Sequence, residues 1–206
     1  MYNAPVDTKA FEILDSIYPE DISFLSADTP FRFLVSVCLS AQTTDASVMR
    51  VTPVLFSRYP GPEELSEALA EDVEAIIKPL GFYRMKARNI ISLAKAIAEK
   101  GSIPDTIDEL VKLPGVGRKT ANCYLLHIEN KPAVIVDTHF RRVAKRLGYA
   151  SEDNPDKVEL EIKSRFPESI WSRMSMTLNL HGRKYCHSRK PECSICPVRE
   201  YCISSL

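Results

Sequence analysis

Leu113 to Ala121, LPGVGRKTA, joins two helical patterns through a turn of one proline and two glycines. On its N-terminal side, TIDELVKL (Thr106 to Leu113) sets Thr106 and Glu109 at the spacing of a capping box. On its C-terminal side, Arg118 opens a second helical run that continues to Ile128. Gly115 and Gly117 permit positive φ and put no side chain in the way of a close ligand. The amides at the start of the second helix, with the positive end of its dipole, suit an anion such as a phosphate. The same four residues also fit an ordinary connection between two helices.

Lys119 lies in the first turn of that second helix, the unfavourable end of the dipole for a cation. One reading is an exposed, tolerated lysine; the other is a nucleophile. A lysine amine in water, with a pKa of about 10.4, is uncharged in about one molecule in 2,500 at neutral pH. A helix dipole changes that fraction by less than about tenfold. Desolvation against a substrate, helped by the adjacent Arg118, would have to supply the remainder. Eighteen residues on, Asp137 follows the short apolar run Ala133 to Val136, the one strand-like stretch, which has no pairing partner in the sequence. Its place before Thr138 is that of an N-cap.

The rest of the chain reads as helix. Ala87, Ile90, Ile91, Ala94, Ile97 and Ala98 form an apolar stripe within YRMKARNIISLAKAIAEK, Tyr83 to Lys100. Asn154 followed by Pro155 marks a helix start. Phe31 to Gln42, Asp45 to Tyr59 and Ser169 to about Leu180 carry helical patterns as well. The fold class expected is all-α. With 45% apolar and 26% charged residues in 206, the chain can bury a core in one large domain or two small ones. It contains no apolar run long enough to span a membrane, and its acidic N-terminus is no secretory signal, so an intracellular protein is expected.

Acidic and basic residues cancel, 27 against 27, but they are unevenly placed. Gly61 to Ile77 holds six acidic residues and no basic one, whereas FRRVAKR supplies Arg141, Arg142, Lys145 and Arg146. Arg183, Lys184, Arg189, Lys190 and Arg199 crowd the C-terminal segment. A zero sum can therefore hide a basic, phosphate-seeking face; solvated helix surfaces account for the same pattern.

Four of the six cysteines, Cys186, Cys193, Cys196 and Cys202, follow a C-x6-C-x2-C-x5-C spacing. Disulfides need an oxidising compartment that nothing here suggests. A zinc site usually shows two short-spaced pairs, and only one is present. Four thiolates on one short segment suit an iron–sulfur cluster, although spacing alone leaves zinc open. Either metal would pin the loop that carries Arg189 and Lys190, so that less entropy is lost when it meets a phosphate. Cys38 and Cys123 lie in apolar helical segments and read as small buried thiols.

Taken together, LPGVGRKTA, VDTH (Val136 to His139) and the cysteine tail resemble the endonuclease III family of helix-hairpin-helix DNA glycosylases. LSAQTTD (Leu39 to Asp45), GFYRMKARNI (Gly81 to Ile90) and HGRKYC (His181 to Cys186) extend the likeness in the family's order. The resemblance implies two all-helical domains with a cleft between them: residues 22–131 as a six-helix domain ending in the hairpin, and residues 1–21 plus 132–206 holding a [4Fe-4S] cluster on the four cysteines. It implies a monomeric enzyme of the cytoplasm or nucleoid that acts on damaged double-stranded DNA and has no membrane partner. Lys119 matches the lysine nucleophile, Asp137 the essential aspartate, and Gln42 the glutamine that enters the duplex. Phe82 falls at an apolar wedge position where leucine is more usual, and Phe140 departs similarly after VDTH. Arg84, Lys86, Gly115, Val116, Gly117, Arg189 and Lys190 complete the DNA contacts implied. The implied reaction is excision of oxidised or ring-saturated pyrimidines, then strand cleavage by β-elimination. A monofunctional mismatch glycosylase acting on adenine, thymine or uracil is the alternative within the fold. A noncatalytic DNA-binding module is the alternative outside it.

Overall fold

A computed structural model of the chain describes residues 8–19, 25 and 27–205, and no strand occurs among them. No helix of the described residues is long and apolar enough to cross a membrane. The chain divides into two compact units, Ser23–Asn130 and Met1–Ile22 with Lys131–Leu206. The expected domain start at Ile22 lies outside the described residues.

In the continuous unit, eight of the ten residues of α2 (Pro30–Leu39) are buried. This follows from a sequence apolar everywhere but at Arg32 and Ser36, the mark of a helix largely enclosed by others. Thr29 caps it, accepting from the Arg32 amide at 3.3 Å, and Pro30 takes the first-turn place where its missing N–H costs nothing. Packed around this unit's core are α3 (Asp45–Arg58), α4 (Pro62–Ser66), α5 (Ala70–Ile77), α6 (Tyr83–Lys100), α7 (Ile107–Leu110) and α8 (Arg118–His127). Among the described residues of this unit that makes seven α-helices, of which α4 and α7 are pieces of about one turn. The stripe on α6 buries Ala87, Ile90, Leu93, Ala94 and Ile97; Ile91 and Ala98 lie at its margin. Gly101, at φ 73°, closes the helix.

The capping box does not form. Thr106 makes no side-chain cap bond, and the Glu109 carboxylate is taken by Lys112 and by Lys100 at 3.5 Å.

The second unit contains α1 (Lys9–Ile17), α9 (Thr138–Arg146), α10 (Pro155–Arg165) and α11 (Trp171–Lys184). The Asn154 carboxamide caps α10 as its sequence implies, accepting from the Asp156 and Lys157 amides. At the crossing of α9 and α11, a Cβ on Gly182 would come within 2.9 Å of His139 Cβ, so only glycine allows this approach. Phe140 is fully buried in this unit's core, which accounts for an aromatic after VDTH. Ala133 to Val136 is neither helix nor strand. Its amides pair with serines of α11: Ala133 N–H donates to Ser172 Oγ at 3.3 Å and Ile135 N–H to Ser175 Oγ at 2.9 Å.

Candidate active site and cysteine centre

The hairpin turn is built from inside. Gly115 has φ 75°, and a Cβ there would lie 3.0 Å from Asn89 Cβ, so both conformation and space demand glycine. The Cys38 thiol donates to the Gly115 carbonyl at 3.6 Å from beneath. Val116 is buried, and its amide closes the turn onto the Leu113 carbonyl at 3.1 Å. Val116 therefore shapes the loop with its side chain and amide turned inward, not outward toward a ligand as expected. Gly117 is extended (φ −91°), so its glycine is not required by backbone conformation. A Cβ at Gly117 would meet nothing within 4 Å; what its bareness preserves is open space at the N-terminus of α8. No side chain caps that ten-residue helix, which leaves its first-turn amides for an outside acceptor.

Lys119 is exposed in this first turn. Its ammonium forms no hydrogen bond or ion pair among the described residues. Cys123, one turn on, is held up at about 11, by burial first, with Lys119 pulling the other way. Burial likewise pushes the Cys38 thiol up to about 12. Both are inert packing thiols at neutral pH, as their apolar surroundings imply.

Asp137 is an N-cap, as its position before Thr138 implies: Oδ1 accepts from the Phe140 amide at 2.7 Å. The second oxygen is not idle, because the Asn179 carboxamide of α11 donates to Oδ2. Asn179 is fixed in turn by Arg183 Nε, which donates to its Oδ1 at 2.9 Å. The Phe140 amide on one oxygen, and Asn179 backed by Arg183 on the other, thus set the carboxylate's orientation. Nothing in the sequence spacing marked Asn179 for this role.

Two further turns carry exposed residues in left-handed conformations. Gln42 has φ 54° and Phe82 φ 47°, the latter beside Gly81 at 69°. A bulky residue at positive φ is a genuine outlier, and such strain concentrates at functional sites. Phe82 is 64% exposed, with Met85 (51%) one turn along α6. Arg84 is exposed, 3.8 Å from the Glu74 carboxylate and lying over the Tyr83 ring at 5.7 Å from its centroid. Lys86 departs from expectation. It is 4% exposed, and its ammonium donates to Thr43 Oγ1 at 2.6 Å and the Leu80 carbonyl at 3.2 Å. Buried on the α6 stripe, it cannot reach a phosphate directly.

The four C-terminal cysteines line one cavity of about 290 Å³, floored by Val143, Leu147 and Val198. No three His, Cys, Asp or Glu side chains of the described residues converge where a single ion could sit. Sulfurs spread around a roomy apolar cavity fit a polynuclear cluster better than one zinc ion. Burial first, then the other thiols, pushes the Cys196 and Cys202 thiols up, so a cationic metal is what would hold them as thiolates. His181, buried beside Cys196 and bonded to Tyr18 Oη at 3.2 Å, is held down at about 4 by burial and is neutral at working pH.

Half of the basic run on α9, Arg142 and Arg146, braces this centre, and the other half is held by Asp153. Arg142 donates to the Cys186 and Gly182 carbonyls, each at 2.8 Å. Arg146 donates to the His187 carbonyl at 2.8 Å and to Cys186 Sγ at 3.2 Å. Arg141 and Lys145 hold Asp153. Their i, i+4 spacing put Arg142 and Arg146 on one helix face; their backbone acceptors carry no sequence signal. Arg189 and Lys190 stay exposed, on a loop closed by Glu192 N–H donating to the Tyr185 carbonyl at 3.0 Å.

The fold and these features define a class: an all-helical helix-hairpin-helix protein with a C-terminal four-thiol centre. Residues 35–168 match the HhH-GPD superfamily of base excision DNA repair proteins, and residues 186–202 match the iron–sulfur binding domain of endonuclease III. Endonuclease III of Rickettsia conorii is 42% identical over 201 residues, covering 97% of this chain and 96% of its own. That of Bacillus subtilis is 42% identical, covering 92% and 88%. The structure of a trapped endonuclease III–DNA covalent intermediate, an estranged-adenine complex, matches with a TM-score of 0.90 at 37% identity. It covers 96% of this chain and 94% of that one. The chain belongs to the endonuclease III family, the DNA glycosylase/AP lyases of base excision repair, and is an iron–sulfur protein.

Proposed function

We propose that this enzyme excises oxidised or ring-saturated pyrimidines from duplex DNA through a Schiff base on Lys119, then cleaves 3′ to the abasic site by β-elimination. The observation that carries the reading is an exposed lysine with no ion pair among the described residues, one residue inside an uncapped helix that the hairpin leaves open. Backbone phosphates are held by the first-turn amides of α8, with Gly115 and Gly117 admitting close approach. Arg84, Arg189 and Lys190 add charge, while Gln42 and Phe82 enter the stack as the damaged base turns out.

The Asp137 side chain stabilises the positive charge that grows on the sugar as the base leaves with the electron pair of its C1′–N bond. The uncharged Lys119 Nζ bonds to C1′ and yields its proton as the ring opens to a protonated imine. That imine acidifies the C2′ proton; its removal expels the 3′ oxygen, and the strand is cut. A pure binding module has no use for the carboxylate. A monofunctional glycosylase, which attacks with water, has none for the lysine. We place the enzyme in the cytoplasm, at the nucleoid.

Cys186, Cys193, Cys196 and Cys202 would hold a [4Fe-4S] cluster, whose role when bound is to fix the loop bearing Arg189 and Lys190. Purified protein is therefore expected to be brown, with a broad visible absorption band that Cys193→Ser largely removes. A colourless preparation with one zinc per chain would refute the iron assignment.

A panel of duplexes, each with one defined lesion and scored with and without alkali, tests the function. Ring-saturated pyrimidine duplexes should be nicked without alkali. Base release that gives breaks only after alkali would mean a monofunctional enzyme.

A further inference from the structure

Lys86, expected to touch DNA, does something else with its charge. Its ammonium donates to Thr43 Oγ1 at 2.6 Å, and the Thr43 hydroxyl passes its own proton toward the Leu80 carbonyl at 2.7 Å. The ammonium also reaches that carbonyl directly, at 3.2 Å. One buried cation thus closes a three-membered ring of hydrogen bonds between two surface turns. Thr43 follows Gln42; Leu80 precedes Gly81 and Phe82. Those two turns bear the left-handed pair Gln42 and Phe82, both exposed, and among the described residues of this unit the other non-glycine residue with positive φ is Asn130, at its end.

A buried ammonium is costly and persists where its bonds fix a geometry that the surroundings would not otherwise hold. Strained, exposed residues on separate loops would each relax or sway unless tied at their bases. Here the tie is a charged, polarised chain, stronger than neutral bonds of the same length. We propose that Lys86 is a positioning residue for opening the duplex. Through Thr43 it locks the Gln42 turn and the Phe82 turn into one rigid two-pronged probe that enters the base stack as a unit. The inference rests on the reading of Gln42 and Phe82 given above. It deepens that reading by assigning penetration to a preformed pair, with the phosphate grip and the imine chemistry belonging to other residues.

The test uses a duplex with a non-cleavable abasic analogue and 2-aminopurine on the opposite strand, whose fluorescence rises as the stack opens. Holoenzyme variants Lys86→Met, Thr43→Val and Thr43→Ser are compared with the parent. In Lys86→Met and Thr43→Val the fluorescence amplitude should fall, and kcat/KM on lesion duplex should drop by about tenfold to a hundredfold, the scale of a ~1 Å misplacement. Borohydride trapping on a single-stranded abasic oligonucleotide, where no stack is opened, should stay within about twofold. Thr43→Ser, which keeps the hydroxyl, should restore both duplex readouts. Parental amplitude and duplex rate in Thr43→Val would overturn the proposal. So would equal losses on duplex and single strand, which would mean only a general weakening of the fold. If Lys86→Met does not fold, the Thr43 pair decides. A parent protein that neither traps nor brightens would instead remove the functional reading on which the proposal rests.

Discussion

Lys119→Gln is expected to bind lesion-containing duplex about as well as the parent protein and to form no covalent complex with it under borohydride. Reduction captures only an imine, and an imine needs a primary amine on the anomeric carbon. Glutamine keeps the polar character of the side chain but cannot make that bond. The loss should fall on turnover, because loss of a nucleophile removes an interaction that exists only along the reaction path. A reduction of ~10⁴-fold or more in strand cleavage is the scale expected when a covalent route is closed. Binding should change little, because the phosphate grip proposed here comes from the open first-turn amides of α8 and from other basic residues. Folding should be untouched, since Lys119 is exposed and has no ion pair among the described residues. Gel-shift affinity, melting temperature and trapping yield separate the three effects. Trapping that persists undiminished in the variant would place the nucleophile elsewhere.

Much of this site was legible in the sequence because motif chemistry is local. The hairpin, the aspartate before Thr138 and the cysteine spacing each lie within a short segment, where turn and capping rules act. Gly115 is glycine for the reason the sequence suggested, whereas Gly117 is extended and needs no such freedom. Lys86 shows what local reading misses. The resemblance implies a DNA contact at Lys86, yet this residue stands four residues before Ile90 and seven before Leu93, on the face that α6 buries. The helical period carried that signal; the Thr43 and Leu80 partners did not, because they come from other turns. The bracing arginines of α9 were hidden for a related reason: a run of positive charge says nothing about acceptors that are backbone carbonyls some forty residues away. Nor does Ala133 to Val136 betray that serine hydroxyls, in place of a neighbouring strand, receive its amides.

Asp137→Asn separates two roles that coincide in one side chain. As a cap, Asp137 accepts the Phe140 amide through Oδ1, and asparagine is about as good a cap as aspartate. The variant should therefore melt within a few degrees of the parent, whereas Asp137→Ala, which abandons the cap, should cost ~1 kcal/mol or more. As a charge, Asp137 has no substitute. Its Oδ2 is aimed by the Asn179 carboxamide, itself held by Arg183. An uncharged amide there would offer neither the field that stabilises a cationic sugar nor an acceptor that fits the Asn179 donor. One of the two facing amides must flip or lose its bond. Base excision should then fall by ~10²–10⁴, the range for losing one charge-stabilising or proton-handling group. Cleavage at a preformed abasic site should fall less, because no base has to be expelled. That inequality distinguishes the electrostatic role from a structural one, which would lower both steps alike. Equal losses on lesion and abasic duplexes, with a matching fall in melting temperature, would leave Asp137 as a cap alone.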